Sequence, residues 1–149
     1  MSGTADSAGL ARRLAAMLYD TLLVLPLLMA AIAASLAAGR ALQLLPPEAP
    51  LPRGYVWLLA LGCSALFFSL FWRRGGQTLG MQAWRIRLVS GDGRPLRWRQ
   101  CLLRCAAALL SLAALGCGYW WALIDRRRRS WHDHLSETHV IVVPKRRRD

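Results

Sequence analysis

Apolar residues are gathered into three long runs along the chain. The first extends from Leu14 to Ala38 and is interrupted by only a few polar residues and by Pro26. The second, from Tyr55 to Trp72, contains no charged residue and has a tryptophan near each end. About 20 apolar residues allow a helix to cross a bilayer core, and tryptophan is common at its interfaces. The pattern therefore predicts two membrane-spanning helices, over residues 14–38 and 55–72.

The first run also shares one feature with a secretory signal sequence, because Arg12 and Arg13 precede it and small residues end it. The apolar region of a signal sequence is about 7–15 residues long, which is shorter than this run. The run also contains Asp20. We therefore interpret it as a membrane anchor.

The third run, residues 101–124, predicts another membrane-inserted segment. It carries Arg104 near its start and the sequence Gly116-Cys117-Gly118 in its second half. Two paths are open to it: a third crossing of the membrane, or two short helices that enter and return on the same side.

Basic residues are distributed unevenly between these runs. The 149-residue chain carries 20 Lys and Arg against 8 Asp and Glu, a net charge of +12. Residues 73–100 hold seven arginines and one acid, Asp92, for a charge of +6, and the tail, residues 125–149, sums to +4. Segments 1–13 and 39–54 carry +1 each. Because strongly basic loops stay in the cytoplasm, we expect residues 73–100 and the N-terminus to be cytoplasmic.

The same charge bias affects the third segment. A third crossing would carry the basic tail to the outside and break the positive-inside rule. A segment that enters and returns keeps the tail in the cytoplasm, and its non-helical turn would have to be covered by protein or water. We therefore favour the re-entrant path.

A β-hairpin is predicted in the loop at residues 73–100. Residues 83–89 alternate between apolar and polar types, Ser90-Gly91-Asp92-Gly93 is typical of a turn, and residues 95–99 resume the alternation. Residues 140–143 would add a third strand. The sheet and the tail would present arginines to anionic lipid headgroups. These are Arg85, Arg87, Arg97, Arg99, Arg126, Arg127, Arg128 and Arg129.

Two stretches carry a resemblance to a known family. The first is Arg13-Leu14-Ala15-Ala16-Met17-Leu18-Tyr19-Asp20, and the second is Ser130-Trp131-His132-Asp133-His134-Leu135, followed by Thr138 and a hydrophobic strand. With Gly76-Gln77-Thr78-Leu79-Gly80-Met81 between them, nearly the whole chain resembles the RDD family of bacterial membrane proteins. One departure is Ser136-Glu137-Thr138, where many members have a glycine-containing turn. The resemblance implies an integral membrane protein of poorly defined role, for which transport has been proposed.

The charged residues of these stretches also have a physical interpretation of their own. Arg13 and Asp20 are seven residues apart, so they share one helix face at a distance of about 10 Å along the axis. A carboxylate below the headgroups needs a partner. We expect Asp20 to pair with Arg104, and Arg13 to pair with Asp133 at the surface. Such charges lock helices together in one interpretation and carry a proton or cation through Asp20 in the other.

Other chemistry is weakly supported. His132, His134 and His139 suit a metal site only if they share a strand face. The four cysteines lack a zinc-type spacing, and no phosphate-binding loop or nucleophile elbow is present. We therefore expect no enzymatic activity, no cofactor and no metal. The arginine clusters at the ends of membrane segments favour contact with anionic lipid over nucleic acid.

Taken together, the chain is predicted to be one domain, 1–149, of the all-α membrane class with a small cytoplasmic sheet. Its location would be the bacterial inner membrane, with several membrane segments. Small residues at positions 30, 34 and 38 and at 60 and 64 allow close contact between helices. A homo-oligomer or a membrane partner protein is therefore expected.

Two functions remain open. One is a membrane scaffold or accessory protein with a basic face for lipid or a partner. The other is transport of an ion or small solute through the cluster of Arg13, Asp20 and Asp133. A polar cavity reaching Asp20 would favour transport, whereas a sealed carboxylate would favour the scaffold.

Overall fold

The computed structural model describes residues 7–125 and 129–144. Its two long helices are α1, Leu10–Ala41, and α2, Arg53–Gly75. Both are long and apolar enough to cross a membrane, with mean hydropathies of 2.3 and 1.8 over their best windows. Only 6% of each window is buried inside the molecule, whereas the core helix of a soluble protein would be mostly covered. The two predicted long apolar helices are confirmed, and each is longer than its apolar run.

The end of α2 leads directly into a short helix. Gly76 adopts the left-handed conformation, with φ of 70°, and its N–H donates to the carbonyl of Trp72. This is a common way for a helix to end, because glycine has no Cβ to strain. The next helix, α3, spans Leu79–Ala83, and the Thr78 side chain caps it by accepting a hydrogen bond from the N–H of Met81 at 3.2 Å.

A two-stranded antiparallel sheet follows α3. β1, Ile86–Ser90, pairs with β2, Thr138–Val142, so that Ile86 lies opposite Val142 and Ser90 lies opposite Thr138. Residue 7 forms an isolated bridge to Ile141, and the N–H of Ala8 donates to the carbonyl of Val140 at 2.9 Å. The N-terminal segment, the loop after α2 and the tail are therefore joined on the same side of the molecule.

The predicted hairpin was wrong. Residues 95–97 do not return as a strand, and Trp98 begins the helix α4, Trp98–Ala113. The side chain of Gln100 accepts a hydrogen bond from the N–H of Arg97 at 3.0 Å, which satisfies a donor at the start of this helix. The predicted third strand is real, but it is the direct partner of β1.

The third apolar run forms two helices that fold back on each other. α4 ends at Ala113, Leu115 and Gly116 adopt left-handed φ values of 53° and 80°, and α5 spans Cys117–Ile124. A Cβ on Gly118 would clash with Ser111, which shows how closely α5 packs on α4. At 1.5 Å per residue the helices are about 24 and 12 Å long, each shorter than a bilayer core of about 30 Å.

After α5 the chain returns to the start of α4. The short helix α6, Trp131–Leu135, packs against α4, and β2 pairs with β1. We call residues 76–97 and 129–144 the cap, because they cover one end of the helices α1, α2 and α4.

The hydrophobic core lies between the cap and the helix ends. Its buried members come from the N-terminal segment, α1, α3, the sheet, the loop before α4 and α4, and Trp72 packs against them. They are Ala8, Ala16, Met81, Ile86, Leu88, Leu96, Cys101 and Val140. Little of α1 and α2 contributes to this core, so the apolar surface of those helices remains outside it.

Candidate functional site

Asp133 lies at the centre of a buried cluster of charges. Its side chain contacts two arginines from different helices: Arg13 Nη1 of α1 is 2.5 Å from Oδ2, and Arg104 Nη1 of α4 is 2.6 Å from Oδ1. Oδ2 also accepts a hydrogen bond from the N–H of Ser130 at 3.0 Å. One carboxylate thus joins α1, α4 and α6, which are far apart in the sequence.

The two arginines reach this carboxylate because each lies on the buried face of its helix. Arg13, Ala16, Asp20 and Val24 form the buried stripe of α1. On α4, the buried stripe includes Arg104 and residues 101, 107 and 111. Both stripes follow the repeat of three and four residues that keeps side chains on one helix face.

Further hydrogen bonds hold the cluster in position. Arg104 Nη1 also donates to Thr138 Oγ1 at 2.9 Å, and Thr138 Oγ1 is 2.7 Å from Ser136 Oγ. Arg13 Nε donates to the carbonyl of Ala8 at 3.0 Å. These contacts extend the cluster into β2 and the N-terminal segment.

The three charged side chains of this cluster are buried, so their charges interact strongly. Asp133 is 2% exposed, and Arg13 and Arg104 are each 6% exposed. Burial raises the pKa of Asp133, but the charges of Arg104 and Arg13 outweigh this and hold the pKa well below its usual range. The carboxylate therefore stays ionised at neutral pH. The predicted contact of Arg13 with Asp133 is present, although it is buried and not at the surface.

The predicted pair of Asp20 with Arg104 was wrong. Asp20 is 2% exposed and accepts two hydrogen bonds from the start of α3: one from Thr78 Oγ1 at 2.5 Å and one from the N–H of Gly80 at 2.9 Å. Free N–H groups at a helix start are good partners for a carboxylate. Arg104 instead contacts Asp133, because the return of α5 brings α6 beside α4.

Gly80 is required by the close approach of α3 to α1. A Cβ at this position would collide with the carbonyl oxygen of Ala16 and would lie 2.9 Å from the Asp20 carboxyl group. Sequence reasoning noted the Gly76–Met81 stretch but missed Thr78 and Gly80 as partners of Asp20. The usable signal was Thr78 itself, since threonine directly before a helical segment is a typical cap.

His132 lies beside the cluster and is 4% exposed. Its Nε2 is 2.8 Å from Ser130 Oγ, its ring stacks on Tyr119 at a centroid distance of 4.8 Å, and its Nδ1 has no hydrogen-bond partner among the described residues. Burial and the nearby charge of Arg104 lower the pKa of His132 to about 3. The imidazole is therefore neutral at physiological pH.

The three histidines do not come together as a metal site. His132 is buried in α6, His134 is exposed on the same helix, and His139 lies in β2. Within residues 7–125 and 129–144, no group of three His, Cys, Asp or Glu side chains is arranged to hold a metal ion.

Stability is expected to decrease in mild acid because of His132. The unfolded histidine binds a proton below pH of about 6.5, whereas the folded one, with its lowered pKa, does not. The unfolded state then holds more protons, so the free energy of unfolding decreases as pH falls, by about 2 kcal/mol between pH 6.5 and 5. Thermal unfolding in detergent at several pH values measures this loss, and His132→Gln should largely remove it. Exposed His134→Gln is the matched control, and equal pH dependence in all three proteins would contradict the prediction.

The basic residues predicted to contact lipid lie mostly on the surface. Arg85, Arg87, Arg97 and Arg99 are exposed. Arg129 is partly buried and is 3.5 Å from Asp125, whereas Arg126, Arg127 and Arg128 lie outside the described residues. A surface groove of about 430 Å³ runs along this side of the cap. Its lining consists of Arg12, Ala83, Trp84, Arg85, Val142, Val143 and Pro144.

A second cavity, of about 380 Å³, lies between α1, α2 and α4. Arg13, Arg104 and His132 line the end next to the charged cluster, and Asp20 lies in the wall formed by α1. Most of the remaining wall is apolar. The cavity is thus polar where it meets the cap and apolar along the helices.

Comparison with protein families gives a match for most of the chain. The model described as the RDD family matches residues 7–137, a range that includes Arg13, Asp20 and Asp133. Searches of curated proteins and of solved structures returned no match.

Proposed function

The chain belongs to the RDD family of membrane proteins, and from this premise we propose that it is a small scaffold or accessory protein of the bacterial inner membrane. In this role the charged cluster fixes the cap against the helices. The cap then presents a basic face to anionic lipid or to a partner protein.

One observation supports this proposal most strongly. Each charged residue of the family motif makes a contact that holds two elements of the fold together. Arg13 and Asp133 join α1 to α6, and Asp20 joins α1 to α3. Both oxygens of each aspartate already have protein partners. Carboxylates held in this way stabilise one arrangement of helices and are poorly placed to exchange an ion.

The proposed topology has the cap and the N-terminus in the cytoplasm. The cap and the last turn of α2 contain most of the exposed arginines among the described residues, and the positive-inside rule favours the cytoplasm for them. The helices α4 and α5 would enter the membrane from the same side and return. Leu115, at the turn between them, is 92% exposed in the isolated molecule, and Leu110 and Leu112 are 62% and 69% exposed. Such an apolar tip is unfavourable in water and favourable in lipid.

The groove of the cap suits an anionic headgroup. Arg12 and Arg85 line it together with Trp84, so two cations lie beside an aromatic ring that favours the membrane interface. Basic residues near a membrane surface contribute about 1 kcal/mol each to binding of anionic lipid. The groove is therefore the expected lipid contact of the cap.

The double variant Arg12→Gln/Arg85→Gln tests this contact. Phosphatidylglycerol added to the protein in dodecylphosphocholine micelles should raise the melting temperature of the wild type, and salt should weaken the effect. We expect the double variant to lose most of this rise. The matched control is Arg40→Gln/Arg53→Gln, which removes two exposed arginines at the opposite ends of α1 and α2. Equal losses in the two double variants would refute a specific contact at the groove.

Exposed small residues on α1 support a partner within the membrane. Ala30, Ala34 and Ala38 recur at every fourth position and are exposed in the isolated chain. Ridges of this kind allow close contact between membrane helices. A second copy of the chain, or another membrane protein, would pack there.

The alternative is a role in transport of an ion or small solute. Its support is the 380 Å³ cavity, because Asp20 and Arg104 are both in its wall. Two spanning helices are too few to enclose a path, so this role would require an oligomer or a partner. A cation flux in proteoliposomes that Asp20→Asn abolishes without changing assembly would replace the scaffold role by transport.

A further inference from the structure

We propose that the cavity between α1, α2 and α4 binds a single-chain amphiphile with an anionic head. The head would lie against Trp72, Arg104 and His132, and the alkyl chain would extend along α2 and α4. This site is separate from the lipid contact proposed for the groove of the cap.

The shape of the cavity fits a chain with one polar end. Its wall on α2 extends from Leu61 to Trp72, about 16 Å at 1.5 Å per residue, and its wall on α4 extends from Arg104 to Leu112, about 12 Å. The volume of about 380 Å³ is near the lower end of small-molecule sites, which range from about 300 to 1,000 Å³. One alkyl chain with a small head suits this volume better than a lipid with two chains.

The long walls are apolar, as an alkyl chain requires. On α2 they include Leu61, Ala65 and Phe68, and on α4 they include Ala108 and Leu109. Burial of each CH₂ group in such a site contributes about 0.8 kcal/mol. The chain would therefore supply much of the affinity, and the polar end would select the head.

At the polar end, two buried groups have no hydrogen-bond partner among the described residues. They are the indole N–H of Trp72 and Nδ1 of His132. Arg104 also lines this end: its hydrogen bonds to Asp133 and Thr138 both leave from Nη1, and its guanidinium lies over the Trp72 ring at 5.5 Å from the centroid. Buried polar groups are nearly always satisfied in folded proteins, so two of them beside a guanidinium at one end of a cavity indicate a missing partner.

We assign to the neutral His132 ring the tautomer in which its unused nitrogen, Nδ1, is the donor. Ser130 Oγ accepts a hydrogen bond from Arg13 Nη1 at 3.3 Å and lies 2.8 Å from His132 Nε2. Among the described contacts of this hydroxyl, Nε2 is the one that can accept its hydrogen. The proton of the neutral ring is then on Nδ1.

Two donors beside a guanidinium require acceptor oxygens from the ligand. The guanidinium favours a carboxylate or phosphate over a neutral head. Asp20 is also in the cavity wall, but both of its oxygens are engaged by Thr78 and Gly80, and it lies seven residues beyond Arg13 along α1. The Asp20 carboxyl group is therefore held against the start of α3.

Binding of radiolabelled oleate, oleoyl lysophosphatidate and uncharged monooleoylglycerol to the full chain in phosphatidylcholine nanodiscs tests this site. At least one of the two anions should bind saturably, with an affinity at least about tenfold higher than that of monooleoylglycerol. Binding of oleate alone identifies a carboxylate head, and binding of lysophosphatidate alone identifies a phosphate head. Equal binding of the uncharged lipid, or no saturable binding of either anion, would overturn the proposal.

Two variants connect the binding to this cavity. Ala108→Phe fills the wall of α4 and should abolish binding, whereas Ala106→Phe on the exposed face of the same helix should leave it unchanged. Trp72→Phe keeps the aromatic packing and removes one donor, so anion binding should weaken about tenfold while monooleoylglycerol binding stays the same. Melting temperatures establish that each variant is folded. Anion binding that survives both Ala108→Phe and Trp72→Phe would place the ligand elsewhere and refute the site.

Discussion

Asp133→Asn is expected to lower the free energy of unfolding by about 3–5 kcal/mol, the usual cost of removing one partner from a buried ion pair. Asparagine has nearly the same shape, but it leaves the buried guanidinium groups of Arg13 and Arg104 without a compensating charge. It also replaces one of the two carboxylate oxygens that accept their hydrogen bonds. The cap should therefore separate from α1 and α4 before the helices themselves unfold. Thermal unfolding and limited proteolysis of the cap in detergent measure this loss.

The matched control for this experiment is Asp92→Asn. Asp92 lies in an exposed turn, 46% exposed and 3.9 Å from Arg97, and solvent screens exposed pairs of this kind so that they contribute little to stability. This variant should melt close to the wild type. In the double variant Arg104→Gln/Asp133→Asn, the losses should be clearly less than additive because the two residues share one contact. A loss from Asp133→Asn no larger than that from Asp92→Asn would show that the cluster does not hold the cap.

Gly80→Ala is expected to destabilise the protein by about 1–3 kcal/mol, the usual range for a side chain forced into a packed position. The added Cβ would meet the backbone carbonyl of Ala16, which cannot rotate away as a side chain does, and would press on the Asp20 carboxyl group. Relief requires α3 to move away from α1, which breaks the bonds of Asp20 to Thr78 and Gly80. Melting temperature and proteolysis of the α3 segment report this change.

Gly62→Ala is the control, and it is expected to change the stability in the opposite direction. Gly62 lies in the middle of α2, and a Cβ there would meet nothing within 4 Å. Replacement of a helical glycine by alanine usually stabilises a helix by about 0.5–1 kcal/mol, through reduced backbone entropy in the unfolded state. Gly62→Ala should therefore melt at or above the wild-type temperature. Equal melting of Gly80→Ala and the wild type would mean that the close contact of α3 with α1 is not needed.

The elements that follow from local pattern were predicted well. Residues 14–38 and 55–72 are continuous apolar runs, and hydrophobic length alone identifies such helices because the bilayer sets the length. The strand at residues 140–143 was predicted from β-branched residues before Pro144. The break in the third run was predicted from Gly116, which adopts a left-handed φ of 80° that most residues avoid.

The failed hairpin shows where local pattern is ambiguous. Residues 95–99 alternate as a strand does, yet Trp98 and Arg99 already belong to α4, and the Gln100 side chain caps its start. A short alternating segment has no fixed partner by itself. The partner of β1 is instead β2, almost fifty residues later, and no local signal connects the two.

The backbone conformation at Glu137 is a second feature that tertiary contacts determine. It adopts a left-handed φ of 53° at the turn before β2, in the stretch where many RDD members have glycine. A residue with a Cβ pays a conformational cost there. The turn persists because Ser136 donates to the carbonyl of His132 and Thr138 is fixed by Arg104.

The sequence by itself determined the membrane class, the two long helices and the basic character of the loop after α2, since each depends on composition or on spacing along one element. Only the tertiary structure decided which charges meet. Asp20 binds Thr78 and Gly80, and Asp133 binds Arg13 and Arg104, across separations of 29 to 120 residues. Partner choice among buried charges depends on where the chain returns after α5, because an ion pair forms only between groups that the packing brings within a few ångströms.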